Sequence, residues 1–442
     1  MSTLGAVMNS ALKSMTANQL ALQVSSNNIA NAQTPDYTRQ RLIVAPSGSS
    51  GDVLGIGTGV DVLGVEALRD TLIEVRLRQE TSAKSGDSTL AKSLADIEGL
   101  FSDTEDTGLL LQISKFFTSF HTVSLDPASM NFREQLKVNA QTLIDSMHSR
   151  NTNLANIKNV ANRAIISDVD QANLLTEQIG SLSAEIKRQE VDHVANDLRD
   201  LRTSLVKKLS EIVEVKELES HGDYQLVTKD NQLLVLNGFV EPLAVSDVTS
   251  AIGTGSLASN LAVRDVYVPK YVAAMDQLAY EVVQKVNTIH AGAYNLDGGT
   301  GLNFFGTLAS ATGAAGLIAL SSDVSTSARK IAASSLSTGN DNQAAVQMGN
   351  LLHSPVFTGG SLIDQYQTLI FGIGTDLANT QASLKEHDVL GAQLLNRRQA
   401  MSGVSIDEET VQILQFQRAY EASARLLRTV DELLQVALGI GA

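Results

Sequence analysis

GVSIDEETVQILQFQRAYEASARLLRTVDELLQVAL, residues 403–438, carries the strongest periodicity in the chain. Ile406, Ile413, Tyr420, Leu427 and Leu434 recur every seven residues, and Phe416, Val430 and Ala437 follow three residues after three of them. A repeat of that form gathers these side chains on one stripe of an α-helix. Ser405 and Glu408 fit an S-x-x-E capping box at its start. Glu421 precedes Arg425 by four residues, the favourable order for a helical ion pair. The spacing predicts a helix over 405–438, ~50 Å long at about 1.5 Å per residue. Chain ends fray unless something holds them, so an apolar stripe placed there needs a partner.

The other end of the chain offers one. Met8, Met15, Leu22 and Ile29 repeat every seven residues, with Leu4 and Ala11 in the second seam position. Later seam positions are polar, Asn18 and Ser25, so the stripe weakens toward its end. In SSNNIANAQTPDYTRQ, residues 25–40, Asn27, Asn28 and Asn31 mark the exit from the helix and Pro35 stops it. Tyr37, Arg39 and Arg41 are placed to pin the extended segment that follows to the C-terminal helix or to a neighbouring subunit. Two readings of the terminal stripes stay open: internal core, or a surface for polymerisation or a partner helix.

Between the ends, six prolines (Pro35, Pro46, Pro127, Pro242, Pro269 and Pro355) fall between periodic segments. Gly-rich GDVLGIGTGVDVLGV, residues 51–65, reads as turns and short strands. Residues 128–179 lack glycine and proline and space Leu136, Ala140, Leu143, Met147, Leu154, Ala161 and Ile165 for one long helix or two in series. Another helix is expected over 194–212. Tyr224, Leu226 and Thr228 alternate with polar positions before a turn at Lys229-Asp230-Asn231, the mark of strands. Helix is expected again over 270–290, loops and short strands over 291–339, and helix from about Asn342, with Ile363, Ile370, Leu377 and Leu384 seven apart. The expected fold is α+β and mainly helical: a discontinuous, elongated helical domain built from both termini, closed by a terminal coiled coil, with small β-rich inserts. Its segments are the axial helix 1–43, a helical body 44–212, a β-rich insert 213–268, a helix with Gly/Ser-rich loops and short strands 269–340, a returning helical body 341–404 and the C-terminal helix 405–442.

Composition narrows the chemistry. Aromatics make up 4% of 442 residues and Trp is absent, which favours elongated helical layers with small side chains. The net charge of −15 argues against nucleic acid or an anionic membrane as the main partner. Without cysteine there is no disulfide, thiolate metal site or Cys nucleophile. No apolar run reaches the ~18 residues of a membrane span, so no membrane insertion is expected. The opening MSTLGAVMNSALKSM has no basic stretch ahead of an apolar core and no clear cleavage site, so no Sec signal peptide is expected. The histidines (His121, His148, His193, His221, His290, His353 and His387) never fall within five residues of one another, which denies a local metal-ligand pair. GIGTGV at 55–60 lacks the G-K-[ST] ending of a phosphate loop. NLDGGTG at 295–301 lacks the third carboxyl and closing Glu of a calcium loop and reads as an Asp-Gly turn. No catalytic, cofactor-binding or metal residue is assigned.

At this point the termini become recognisable. SSNNIANAQTPDYTRQRLIV, residues 25–44, resembles the N-terminal signature of the bacterial flagellar rod, hook and hook-associated proteins, through Asn27, Asn28, Ile29, Ala30, Asn31, Pro35, Tyr37, Arg39 and Gln40. Residues 403–438 resemble the C-terminal signature of the same axial family. GIGTGVDVLGVEALRDTLIEVRLRQE (55–80), LDPASMNFREQLKVNAQTLIDSM (125–147), DLRDLRTSLVKKLSEIVEV (197–215) and MDQLAYEVVQKVNTIHAGAYNLDGGTGLNFF (275–305) are similar to its hook–filament junction branch, the first of the hook-associated proteins. The likeness covers nearly the whole chain, in order. Many relatives carry Gly where this chain has Asp36, and many are longer, so one outer domain is expected to be small or missing.

The resemblance implies a structural flagellar component, not an enzyme, without cofactors. It implies export through the flagellar type III apparatus without a Sec signal, and an extracellular place at the hook–filament junction. The implied partners are further copies of the chain in a helical tube, the hook protein, the next hook-associated junction protein, and a cytosolic export chaperone docked on the C-terminal helix. The implied assembly interface is Leu4, Met8, Met15, Leu22 and Ile29 with Ile406, Ile413, Phe416, Tyr420, Leu427, Val430 and Leu434. In the unassembled chain these helices are expected to be largely disordered, since lattice contacts that offset ordering entropy are missing. The alternative in the same class is another axial protein (hook, distal rod or second junction protein), against which the internal matches weigh. A secreted hydrolase with helical arms would need an acid pair or metal cluster in 213–340, and the sequence offers none. A cytosolic coiled-coil scaffold leaves the β inserts without a purpose.

Overall fold

Segments free of proline and strong turn signals fold as long helices. The computed structural model describes residues 2–48, 57–102, 108–190, 194–220, 222–337 and 341–440. In chain order these form α1 (Ser2–Ala30), β1 (Gln40–Pro46), β2 (Val60–Ala67), α2 (Thr71–Phe101), α3 (Leu109–Leu125), α4 (Met130–Gln189), α5 (Asn196–Ile212), β3 (Val215–Ser220), β4 (Asp223–Thr228), β5 (Leu233–Leu236) and β6 (Phe239–Val240). Then come α6 (Ser256–Ala262), α7 (Val268–Gly292), α8 (Ala314–Leu317), α9 (Ser322–Thr326), α10 (Gln343–Asn350), α11 (Leu362–Ser402) and α12 (Ile406–Ile440). The chain divides into two units. One takes Met1–Lys84, Asp170–Gly255 and Glu386–Ala442; the other takes Ser85–Val169 and Ser256–Lys385.

The second unit holds the apolar core. Phenylalanine is scarce but concentrated: Phe116, Phe117, Phe120, Phe304 and Phe305 are fully buried. Their rings meet edge-on or tilted, with centroids 4.9–5.6 Å apart. Low aromatic content therefore marks one dense cluster and not a uniformly small-residue core. The short strands expected over 291–339 are not formed among the described residues; only isolated bridges occur, at Tyr294–Ser334 and Phe305–Leu320. Side chains of α7 supply the hydrogen bonds that a sheet would have made. Asn287 Nδ2 donates to the Phe305 carbonyl at 3.0 Å, and its Oδ1 accepts from the amides of Phe304 and Phe305. Asp276 accepts from the Gly313 and Ala315 amides where α8 begins. Asp297, in the NLDGGTG turn, is taken by Arg329 and Lys330.

In the first unit, β3 to β6 form an antiparallel meander. Strands occupy only 215–240 of the stretch 213–268; loops and 3-10 turns follow to Gly255, and α6, a π turn and the first residue of α7 belong to the second unit. The Lys229-Asp230-Asn231 turn joins β4 to β5, and Asn237-Gly238, both at positive φ, closes the β5–β6 hairpin. α4 is one 60-residue helix that runs past Gly180 instead of ending near it. A glycine inside a helix costs about 1 kcal/mol, and packing explains its presence. A Cβ on Gly180 would lie 2.4 Å from Val240 Cγ2, and one on Gly238 would lie 2.7 Å from Ala184 Cβ. The hairpin rests on α4 only because both positions lack side chains. β1 and β2 pair antiparallel. The GIGTGV reading falls partly outside the described residues.

His290 in α7 is fully buried, with Nδ1 facing the Leu302 carbonyl at 2.7 Å and Nε2 accepting from the Ala332 amide at 2.8 Å. Burial pushes the imidazole down from 6.5 to about 4, and Arg133 adds to the effect. The folded value lies below the unfolded one, so the stability His290 confers is complete above about pH 6.5 and is lost as pH falls towards 4. Between pH 7 and 4 the parent should lose about 3 kcal/mol more stability than His290→Gln, measured by urea unfolding at each pH.

Candidate functional site

The turn after α1 is built from its asparagines. The Asn31 amide and side chain both donate to the Asn27 carbonyl, and Asn27 Nδ2 donates to Tyr37 Oη. Asn28 is buried and acts like a neighbouring strand: its Nδ2 donates to the Gln40 carbonyl at 2.8 Å and its Oδ1 accepts the Gln40 amide at 3.0 Å. Tyr37 Oη also donates to Asn28 Oδ1 at 3.0 Å. Burial, then Asp197, Asp200 and Glu409, push the Tyr37 phenol up, so it stays protonated and able to donate. Asp36 takes φ 61°, the left-handed conformation that glycine adopts freely. Its side chain compensates by meeting Lys207 at 3.3 Å and Arg398 at 3.5 Å.

From this turn the chain reaches into the rest of the first unit. The Thr38 amide and hydroxyl donate to the two oxygens of Asp200 on α5 at 2.9 and 2.8 Å, and Arg69 binds the same carboxylate. Gln40 Nε2 donates to Asp197 at 2.9 Å. Arg398 near the end of α11 donates to Glu74 at 2.6 Å and to the Asp36 carbonyl at 3.2 Å. Burial pushes the Asp200 carboxyl up, against the pull of Thr38 and Arg69.

Arg39 joins the two chain ends. Its amide donates to the Ser402 carbonyl at 2.9 Å. Its Nε donates to Glu409 at 2.7 Å and its Nη1 to Glu408 at 2.8 Å. The two carboxylates differ sharply: the Glu409 side chain is 1% exposed and that of Glu408 is 64% exposed. The capping box forms only in half. The Glu408 amide donates to Ser405 Oγ at 3.4 Å, while the Glu408 carboxylate turns to Arg39. Arg41, also expected to pin the segment, makes an exposed pair with Glu66 at 3.1 Å.

α1 packs along α12, and the buried face of α1 is not its methionine stripe. Ala11, Ala17, Ala21, Ser25 and Asn28 are buried, while Leu4, Met15, Leu22 and Ile29 are half-buried and Met8 is exposed. The small residues let the helices approach closely and push the larger ones to the edges of the contact. On α12, Val430 is buried, Ile413, Phe416, Tyr420, Leu427 and Leu434 are half-buried, and Ile406 is exposed. Ala30 at the end of α1 and Pro35 in the turn are both exposed. Expected to be largely disordered in the unassembled chain, both helices are formed and paired here, held by contacts within the chain. The partners of the signature, the buried Glu74, Asp200, Arg398 and Glu409 and the exposed Asp197, did not stand out in the sequence. Only the DLRDLR text at 197–202 carried a hint of charge patterning. Among the described residues no group of three or more His, Cys, Asp or Glu side chains could hold a metal ion, and no helix is long and apolar enough to cross a membrane.

Residues 94–305 match the family described as the helical domain of flagellar hook-associated protein FlgK, and residues 397–440 match the C-terminal family of the flagellar basal body rod FlgEFG proteins. Flagellar hook-associated protein 1 of Bacillus subtilis (strain 168) is 29% identical over 499 aligned positions, covering 98% of both chains. That of Escherichia coli (strain K12) is 25% identical over 547 positions, covering 99% of this chain and 100% of the relative. Both alignments are longer than the 442-residue chain, so the relatives carry insertions. The structure of the flagellar hook junction protein FlgK from Burkholderia pseudomallei superposes with TM-score 0.67 at 15% identity, over 74% of this chain and 100% of that one, and shares its fold.

Arg39→Ala strands a buried carboxylate and should cost about 3–5 kcal/mol. Arg39→Lys should recover only part, because one ammonium cannot reproduce a fork that reaches two carboxylates. Arg41→Ala, at an exposed pair, should stay within about 0.5 kcal/mol of the parent. Denaturant unfolding of the three variants checks this order.

Proposed function

We propose that this chain, which belongs to the flagellar hook-associated protein 1 family, builds the junction between hook and filament by adding to a helical tube through its paired terminal helices. It is a structural component of the flagellum and not an enzyme. One observation carries the assembly reading. α12 has a second apolar face, turned away from the seam, on which Val411, Leu414, Leu426, Leu433 and Val436 are about half exposed or more. Large apolar side chains left exposed along one face of a helix mark an interaction site. Together with the edge residues of α1 (Leu4, Met8, Met15, Leu22 and Ile29), it offers neighbouring copies a face that the chain itself does not cover. Ile406, one heptad before Ile413 and exposed at the first turn of α12, prolongs the stripe on which the remaining α12 residues of the expected interface hold the intrachain seam.

Around that core reading stand the remaining partners. The tube grows on the hook protein and presents its upper face to the next hook-associated protein. The terminal helices form the inner wall. The chain leaves the cell through the flagellar type III apparatus, and before export the apolar face of α12 docks in the groove of a cytosolic chaperone. Family membership supports the flagellar location, and helix-in-groove chemistry supports the chaperone.

In a strain lacking this chain, electron microscopy should show hooks without filaments, with flagellin shed into the medium. Restoring the gene with residues 405–442 deleted should not rescue filaments. Leu426→Glu combined with Leu433→Glu should leave α12 helical and paired yet also fail to rescue. Filament growth on hooks in the double variant would sink the assembly reading.

A further inference from the structure

The alignment of α1 on α12 decides which side chains the pair leaves outside, and two contacts mark it. At the base, Asn28 holds the Gln40 backbone, and Arg39 beside it holds Glu409. Farther along, Ser14 Oγ and Ser423 Oγ lie 2.9 Å apart. Ser423 Oγ donates to the Ala419 carbonyl at 2.9 Å, so the shared proton belongs to Ser14, which in turn accepts from Asn18 Nδ2 at 3.3 Å. The chain of donors therefore runs from Asn18 through Ser14 to Ser423. As residue numbers fall along α1 they rise along α12, so the pair is antiparallel. Fourteen residues separate Ser14 from Asn28 on α1, and fourteen separate Glu409 from Ser423 on α12. One alignment satisfies both contacts, which sit two heptads apart, ~21 Å at 1.5 Å per residue.

The seam itself supplies little choice. Its buried residues on α1 include Ala11, Ala17 and Ala21, whose single methyls give the facing helix little shape with which to hold one alignment. A polar group at one seam position removes that degeneracy, because a slip separates it from its partner. Sliding by one heptad would set Ser14 and Asn18 against Phe416 or Val430.

We infer that Ser14 and Ser423 are register-setting residues of the terminal helix pair, a polar pin that admits one antiparallel alignment even when the Arg39 clamp is open. The importance of that alignment for building a tube rests on the assembly reading above; the pin itself does not. The absence of cysteine makes the test clean. Gln19→Cys and Arg418→Cys, both exposed and level with each other in this register, accept spin labels for distance measurement by double electron–electron resonance. The parent and Arg39→Ala should each give one narrow distance. Adding Ser14→Ala and Ser423→Ala to Arg39→Ala should raise a second population, displaced by ~10 Å of axial slip, at least about fivefold. Ser14→Thr with Ser423→Thr in the Arg39→Ala background keeps the hydroxyls and should restore the single distance. One unchanged distance in the triple alanine variant overturns the inference, since the hydroxyls then select nothing. A featureless spread overturns it too, since they would then be adhesive and not selective. Filament growth with the triple alanine variant reads the other question: register lost with normal growth leaves the pin standing and sinks the assembly reading.

Discussion

A buried guanidinium–carboxylate contact between Arg39 and Glu409 joins the two ends of the chain, 370 residues apart in sequence. Its energetics are unusual for a stabilising element. The second Glu409 oxygen is buried and accepts no hydrogen bond. Removing a carboxylate from water costs several kcal/mol, and one cation repays that only with good geometry. An apolar pair of the same volume would hold the helices as well. What the ion pair adds is location: only one placement of α12 brings a carboxylate to the guanidinium. The turn residues serve the same end. Asn28 copies a strand to fix Gln40, Thr38 fixes the backbone on Asp200, and the amide and side chain of Arg39 leave for α11 and α12 together.

With the base fixed, the character of the seam follows. An alanine face brings two helices close but buries little apolar area, and each methyl contributes far less than a leucine side chain. The methionines and leucines that would have made an ordinary coiled-coil core lie at its margins or on its far side. A chain evolved for a self-contained helical hairpin would reverse that arrangement. Leaving large apolar groups half-exposed while burying small ones suits a pair whose main apolar contacts come from other molecules.

Much of this fold could be read from residues. The heptads named both terminal helices, Pro35 ended α1, and alternation around Tyr224 marked the strands. Periodicity, however, ranks side chains by size and spacing, so it centred the stripe on Met8 and Met15, with Ala11 only in the second seam position, where the structure buries Ala11, Ala17 and Ala21. Small residues carry almost no hydropathy signal, and only the facing helix reveals that they form the contact. The partners of the signature were hidden for another reason: Asp200, Arg398 and Glu409 are ordinary charged residues of amphipathic helices until folding brings distant segments together. Glu408 was noticed as a cap, yet its carboxylate turns to Arg39 and its neighbour Glu409 takes the buried position. In the stretch 291–337, glycine and serine suggested short strands. Asn287, His290 and Asp276 instead satisfy the backbone from α7, a solution that leaves no local pattern.

The two units differ in how they are held, and chain order gives the reason. The unit with the phenylalanine cluster uses residues 85–169 and 256–385 and closes on non-directional apolar contact. The other draws on three separated segments, the last reaching the C-terminus. Its signature cannot satisfy its charged groups until residues 398–409 are present. Loop-closure entropy grows only slowly with separation, so distance alone is a modest penalty. Specificity is the harder demand, because three segments with amphipathic helices could pair in several ways. Hydrophobic contact would accept many of them. Buried charges that meet only their own partners accept one, and this accounts for the concentration of arginine–carboxylate pairs where the chain ends converge and of phenylalanine in the other unit.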